Sequence, residues 1–95
     1  MSLFQLLRRH KPYERAKDVI AVLVYEVGDM VKCVHYMENF PQDKKAYVAE
    51  LRKATADALT QVKILCEMYG FSLSELFEEG HDEFVQMLKE RFPVK

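Results

Sequence analysis

Two acidic side chains interrupt the most hydrophobic stretch of the chain. Glu26 and Asp29 stand three residues apart inside the largely apolar run of residues 19–34. Residues with this spacing lie on the same face of an α-helix, and burying a carboxylate without a partner is costly in free energy. The pair therefore either faces water or points at a cation.

Helical periodicity places Glu26 inside the apolar part of its helix. At about 100° per residue, Glu26 falls within an apolar arc about 200° wide, and Asp29 lies at the edge of that arc. On a second helical segment, Asp57 likewise lies among apolar residues, and Glu50 lies on the same side of that helix. Acids that project inward from facing helices form divalent-metal sites in helical bundles, and Mg²⁺ prefers such oxygen ligands.

Ordinary ion pairing is the alternative explanation for these acids. Lys53 precedes Asp57 by four residues, and Lys32 follows Asp29 by three, so both lysines are within reach on their own helices. The recurrence of inward-facing acids on two separate helices favours the bound cation over the ion pairs.

The elements that must position these acids are all helical. Glycine and proline occur three times each and mark the boundaries between periodic segments. We predict an all-α fold, an antiparallel hairpin of two long helices with shorter terminal helices, in which Gly80 breaks or weakens the last one. The predicted helices cover residues 2–10, about 13–38, about 42–69 and 72–91. On the second long helix, the predicted solvated face carries Lys45, Arg52, Lys63 and Glu67.

Composition bounds the class of protein. The 95 residues predict one domain, 1–95, and a net charge of -1 argues against nucleic acid as the main partner. We find no apolar run of the roughly 18 residues that a membrane span needs. Cys33 and Cys66 sit in apolar helical runs and are expected to be core thiols of a cytoplasmic protein. The core or an interface is the expected place of Tyr25, Tyr36, Tyr47 and Tyr69.

Both long helices have apolar arcs wider than one neighbour can cover. This width predicts a homodimer or homotetramer, in which the long helices pack as a four-helix-type bundle.

The acidic motifs resemble those of a known family. Residues 26–30, EVGDM, resemble the E-x-G-E-L signature of the MazG-like all-α nucleoside triphosphate pyrophosphohydrolases, and residues 54–59, ATADAL, resemble their second motif, E-x-x-D-[VL]-L. Residues 69–76, YGFSLSEL, and residues 90–92, ERF, resemble the segments that follow. The resemblance extends from about residue 19 to the end of the chain.

The resemblance implies Mg²⁺-dependent hydrolysis of a nucleoside triphosphate to the monophosphate and pyrophosphate. Glu26, Asp29 and Asp57 match three of the four metal-binding acids of the family, and Glu26 and Asp29 are the expected catalytic residues. The fourth position holds Ala54, whose methyl group cannot bind a metal. Glu50, one helical turn earlier, is the candidate substitute.

Lys53 is the candidate phosphate-binding cation. Because of the alanine at position 54, the chain has a second interpretation, a catalytically degenerate relative that acts as a nucleotide-binding or protein-interaction module.

Overall fold

The computed structural model describes residues 1–94, which form four α-helices and, within that range, no β-strand. The all-α prediction is therefore confirmed. The helices are α1 (Leu3–His10), α2 (Ala16–Asn39), α3 (Lys44–Tyr69) and α4 (Leu73–Arg91), and a short 3₁₀ turn, Pro41–Asp43, joins α2 to α3.

The two long helices, α2 and α3, pack side by side along their length. Near the 3₁₀ turn, the ring of Tyr36 on α2 stacks on that of Tyr47 on α3, with the ring centroids 5.3 Å apart. At the far end of the pair, Ile20 near the start of α2 lines one pocket with Leu65 near the end of α3. The helices therefore run antiparallel, as predicted.

The buried side chains of the chain belong to these two helices. Among the described residues they are Val19, Cys33, Ala54, Ala58, Ile64 and Cys66. Both cysteines are buried free thiols, as predicted. Across the described residues, no helix has the length and apolar character that crossing a membrane requires.

Helix α1 is held on the hairpin by a side chain of α3. The carboxylate of Glu67 accepts a hydrogen bond of 2.8 Å from the backbone N–H of Phe4, and Ser2 accepts one from Gln5. These two oxygens satisfy N–H groups that the first turn of a helix leaves without partners. The prediction that Glu67 lies on the solvated face of the helix was therefore wrong. Helix α1 packs over that part of α3.

Local chemistry sets the boundary between α3 and α4. Gly70 ends α3 in the left-handed region, with φ of 70°, where glycine has no steric penalty. The hydroxyl of Ser72 then accepts a hydrogen bond from the backbone N–H of Glu75 and caps α4. The prediction that the second long helix ends at about residue 69 is confirmed.

The prediction that Gly80 interrupts the last helix was wrong. Helix α4 continues through Gly80 to Arg91. A glycine inside a helix costs only about 1 kcal/mol relative to alanine, which the flanking helical residues and the Ser72 cap offset. The backbone hydrogen bonds of the helix do not depend on a side chain at that position.

Candidate functional site

A cleft of about 450 Å³ opens between the middle sections of α2 and α3. It lies between the Tyr36–Tyr47 stack at one end and the buried Val19 region at the other. Helix α2 contributes Tyr25, Glu26, Asp29, Lys32, Cys33 and Tyr36 to its lining, and helix α3 contributes Glu50, Lys53, Ala54 and Asp57. Every residue that the sequence nominated for chemistry therefore borders one cleft.

The small side chains of Cys33 and Ala54 form the floor of the cleft. Each is only 6% exposed, and they come from opposite helices. A methyl group at position 54 lets α3 lie close to α2, and the longer polar side chains rise around it. The residue that breaks the second motif is thus part of the helix–helix contact as well as of the cleft.

The acids stand above this floor at different depths. Glu26, Asp29 and Asp57 are partly buried, whereas Glu50 is exposed. Helical spacing accounts for the arrangement, because Glu26 and Asp29 are one turn apart on α2, and Glu50, Lys53 and Asp57 are successive turns of α3.

The three deeper acids interact electrostatically. Partial removal from water raises the pKa of the Glu26 carboxyl above its usual value, and the negative charges of Asp57 and Asp29 raise it further. The positive charge of Lys53 lowers it in part. The cleft therefore concentrates negative charge, and binding a cation there would relieve the repulsion.

The lysines of the cleft are not paired with the acids. Within residues 1–94 the contact at salt-bridge distance is that of His81 Nδ1 with Asp82 Oδ1 on α4, at 3.3 Å, which is ionic only when the histidine is protonated. The expected alternative, in which Lys53 pairs with Asp57 and Lys32 with Asp29, is not found. Lys32 instead lies over the ring of Tyr36, with its ammonium 5.9 Å from the ring centroid.

The donor set suits a hard divalent cation, since carboxylate oxygens are the ligands that Mg²⁺ prefers. In the described part of the chain, no three His, Cys, Asp or Glu side chains converge as a ready-made metal site. The carboxylates border the cleft from two helices, and their rotamers must turn inward before they could share one ion.

Aromatic side chains are the part of the cleft that the sequence reasoning did not place. Tyr25 does not lie in the core of the chain, since it is 68% exposed at the cleft. Tyr25, Lys32 and Tyr36 are spaced by seven and four residues, which puts them on one helical face. That spacing was a signal in the sequence that could have identified them.

Comparisons with models of protein families, with characterised proteins and with solved structures find no match to this chain.

Proposed function

We propose that the protein is a Mg²⁺-dependent pyrophosphohydrolase that converts a nucleoside triphosphate to the monophosphate and pyrophosphate. The observation that supports this proposal best is the single cleft in which carboxylates of α2 and α3 stand beside an unpaired Lys53. The resemblance of residues 26–30 and 54–59 to the MazG-like motifs supplies the chemistry for that cleft.

The acids would hold the metal from both sides. Glu26 and Asp57 are the proposed principal ligands, Asp29 is a ligand or the base, and Glu50 reaches in from the exposed end of the cleft. Bound Mg²⁺ would neutralise the triphosphate and polarise the attacked phosphorus. The raised pKa of Glu26 supports this assignment, because partial burial and then the neighbouring carboxylates of Asp57 and Asp29 leave its ionised form without a positive partner.

The chain's own side chains would orient the reactants. Asp29, when it does not contact the metal, accepts a proton from the water that attacks the α-phosphorus, with help from Glu26. The bond between the α-phosphorus and the bridging oxygen breaks, and pyrophosphate leaves. Lys53 contacts the phosphates, and its positive charge stabilises the negative charge that develops on the leaving oxygens.

The exposed ring of Tyr25 offers a flat surface for the base of the nucleotide. Aromatic stacking is sequence-tolerant, because every base has a π-face. This assignment gives the cleft a phosphate-binding part at Lys53 and a base-binding part at Tyr25, both on its lining.

We also propose that the working form is a homodimer or homotetramer in a four-helix-type bundle. The small number of buried side chains in one chain supports this assembly, since a domain of this length rarely gains enough stability from so small a core.

The test is pyrophosphate release from each nucleoside triphosphate in the presence of Mg²⁺. We expect release that falls about 100-fold or more in Asp57→Asn, because a lost metal ligand removes several kcal/mol of charge stabilisation. Asp43→Asn is the matched control, since Asp43 is exposed in the 3₁₀ turn outside the cleft. Absence of release with every nucleotide, together with no rise in Tm on adding Mg²⁺, would refute the proposal.

The buried alanine at the floor of the cleft favours a second candidate, the degenerate relative that binds nucleotides or a protein partner. If wild-type protein is inactive, Ala54→Glu should create pyrophosphate release that Ala54→Gln, of the same size but without the charge, does not. Circular dichroism of both variants checks that the larger side chain leaves the helices folded, because Ala54 is packed against α2.

A further inference from the structure

Helix α4 is an amphipathic helix without a partner in the chain. It packs extensively against no other helix in the described structure, and none of its residues is buried. Most of its apolar side chains nevertheless fall within about 120° of the helix. This α4 stripe consists of Leu73, Leu76, Phe77, Phe84 and Leu88, and its last four members are 39–61% exposed.

Helix α2 carries a second uncovered apolar face. α3 covers one side of the wide apolar arc of α2 and leaves the adjacent side in water. This α2 stripe falls within about 80° of the helix and consists of Ile20, Val24, Val27, Val31 and Val34. These residues are 38–65% exposed. It extends over about 21 Å, and α4 is about 28 Å long, so one helix can cover the other stripe completely.

The chain as a whole exposes more surface than a compact monomer. Its accessible surface is 7814 Å², whereas a compact chain of this size exposes about 5,700 Å². Its radius of gyration is 17.0 Å, against about 12 Å for a compact domain of this length. The excess of about 2,100 Å² per chain is what an obligate dimer interface buries on each partner.

We propose that two copies of the chain exchange α4. In this arrangement the α4 stripe of one copy packs along the α2 stripe of the other, and the two-fold axis makes the contact reciprocal. One symmetric contact then covers both apolar faces of each chain. Each bundle would contain α1, α2 and α3 of one copy and α4 of the other.

Charge favours this pairing over α4 with α4. Helix α4 has six carboxylates and two basic side chains, whereas α2 has four carboxylates and two basic side chains. An α4 lying along α2 therefore meets less negative charge than it would along a second α4. Two antiparallel α4 helices would instead bring their central acids, Glu78, Glu79, Asp82 and Glu83, close together.

Complementation of two damaged chains tests the exchange. Val27→Asp places a charge in the α2 stripe, and Phe84→Asp places one in the α4 stripe. Wild-type protein, measured by light scattering after gel filtration, should have the mass of two copies or of two such pairs, and each variant alone should be a monomer. Gln86→Asp, on the exposed polar side of α4, should keep the wild-type mass.

Mixing the two variants gives the decisive result. The Val27→Asp chain has an intact α4 and the Phe84→Asp chain has an intact α2 stripe, so a mixed dimer retains one undamaged contact. We expect the 1:1 mixture to recover dimers that contain one copy of each variant. A mixture that stays monomeric while both variants show wild-type helicity overturns the exchange, as does a wild-type monomer in which α4 folds back on its own chain.

Discussion

Glu26 on α2 and Asp57 on α3 face the same cleft, and the negative charge of Asp57 acts on the Glu26 carboxyl. Partial burial raises the pKa of the Glu26 carboxyl, and the carboxylates of Asp57 and Asp29 raise it further. A carboxylate on one helix thus raises the pKa of a carboxyl on the other. This coupling can be measured without knowing any substrate.

The first prediction concerns the pKa of Glu26 itself. Asp57→Asn should lower it toward the usual range of glutamate, because a negative neighbour is lost. Lys53→Met should raise it, because the one charge that lowers it is lost. Carboxyl-carbon NMR titration without divalent ions measures both shifts. Asp43→Asn is the control and should leave the titration of Glu26 unchanged; an equal effect of all three substitutions would contradict the coupling.

The second prediction is the effect of Glu26 on stability as pH changes. Its pKa is higher in the folded chain than in the unfolded one, so the folded state holds the proton more tightly and stability falls as pH rises through the interval between the two values. At pH values above that interval, Glu26→Gln should therefore raise Tm. At pH values below it, the substitution should leave Tm unchanged. Thermal unfolding in the presence of a chelator, at several pH values, measures the difference.

Glu38→Gln is the control for this measurement. Glu38 is exposed near the end of α2 and does not line the cleft, so its substitution should change the stability by less than about 0.5 kcal/mol. A Glu26→Gln variant that is less stable than wild type at neutral pH would contradict this prediction. It would show that the folded chain favours the ionised carboxylate of Glu26 and does not repel it.

The third prediction concerns the end of α3. Gly70→Ala should destabilise the chain by about 1 kcal/mol, because alanine is strained at a φ of 70°. An added Cβ would meet no atom within 4 Å, so the cost is one of backbone conformation and not of crowding. Gly70→Asn should cost less, since asparagine tolerates the left-handed region. Urea unfolding measures both, and equal losses would disprove the explanation from backbone conformation.

The fourth prediction concerns the docking of α1. Glu67→Ala removes the acceptor of the Phe4 N–H, and we expect a loss of about 1 kcal/mol, the usual value of a helix cap. Hydrogen exchange should accelerate at Phe4 and its neighbours in α1 and remain unchanged in the middle of α2. Glu38→Ala serves as the exposed control. Unchanged exchange at Phe4 would mean that contacts other than this hydrogen bond hold α1.

Local chemistry made much of the fold predictable. Helical periodicity, Gly70 and the Ser72 cap depend on interactions between residues a few positions apart, which the order of residues records directly. The same periodicity placed Glu26 and Asp57 on the inner arcs of their helices, and the structure has both at one cleft. Gly80 does not break α4, because one glycine costs a helix little and the flanking residues sustain it.

The sequence by itself determined which residues form helices and which face of each long helix carries acids. Only the tertiary structure decided that Lys53 stays apart from Asp57, that Glu67 caps α1, and that α4 lies away from the hairpin. The physical reason is that these outcomes depend on how two helices are rotated and spaced against each other. That geometry arises from packing between residues far apart in the chain, such as Cys33 and Ala54 at the floor of the cleft, which helical periodicity does not encode.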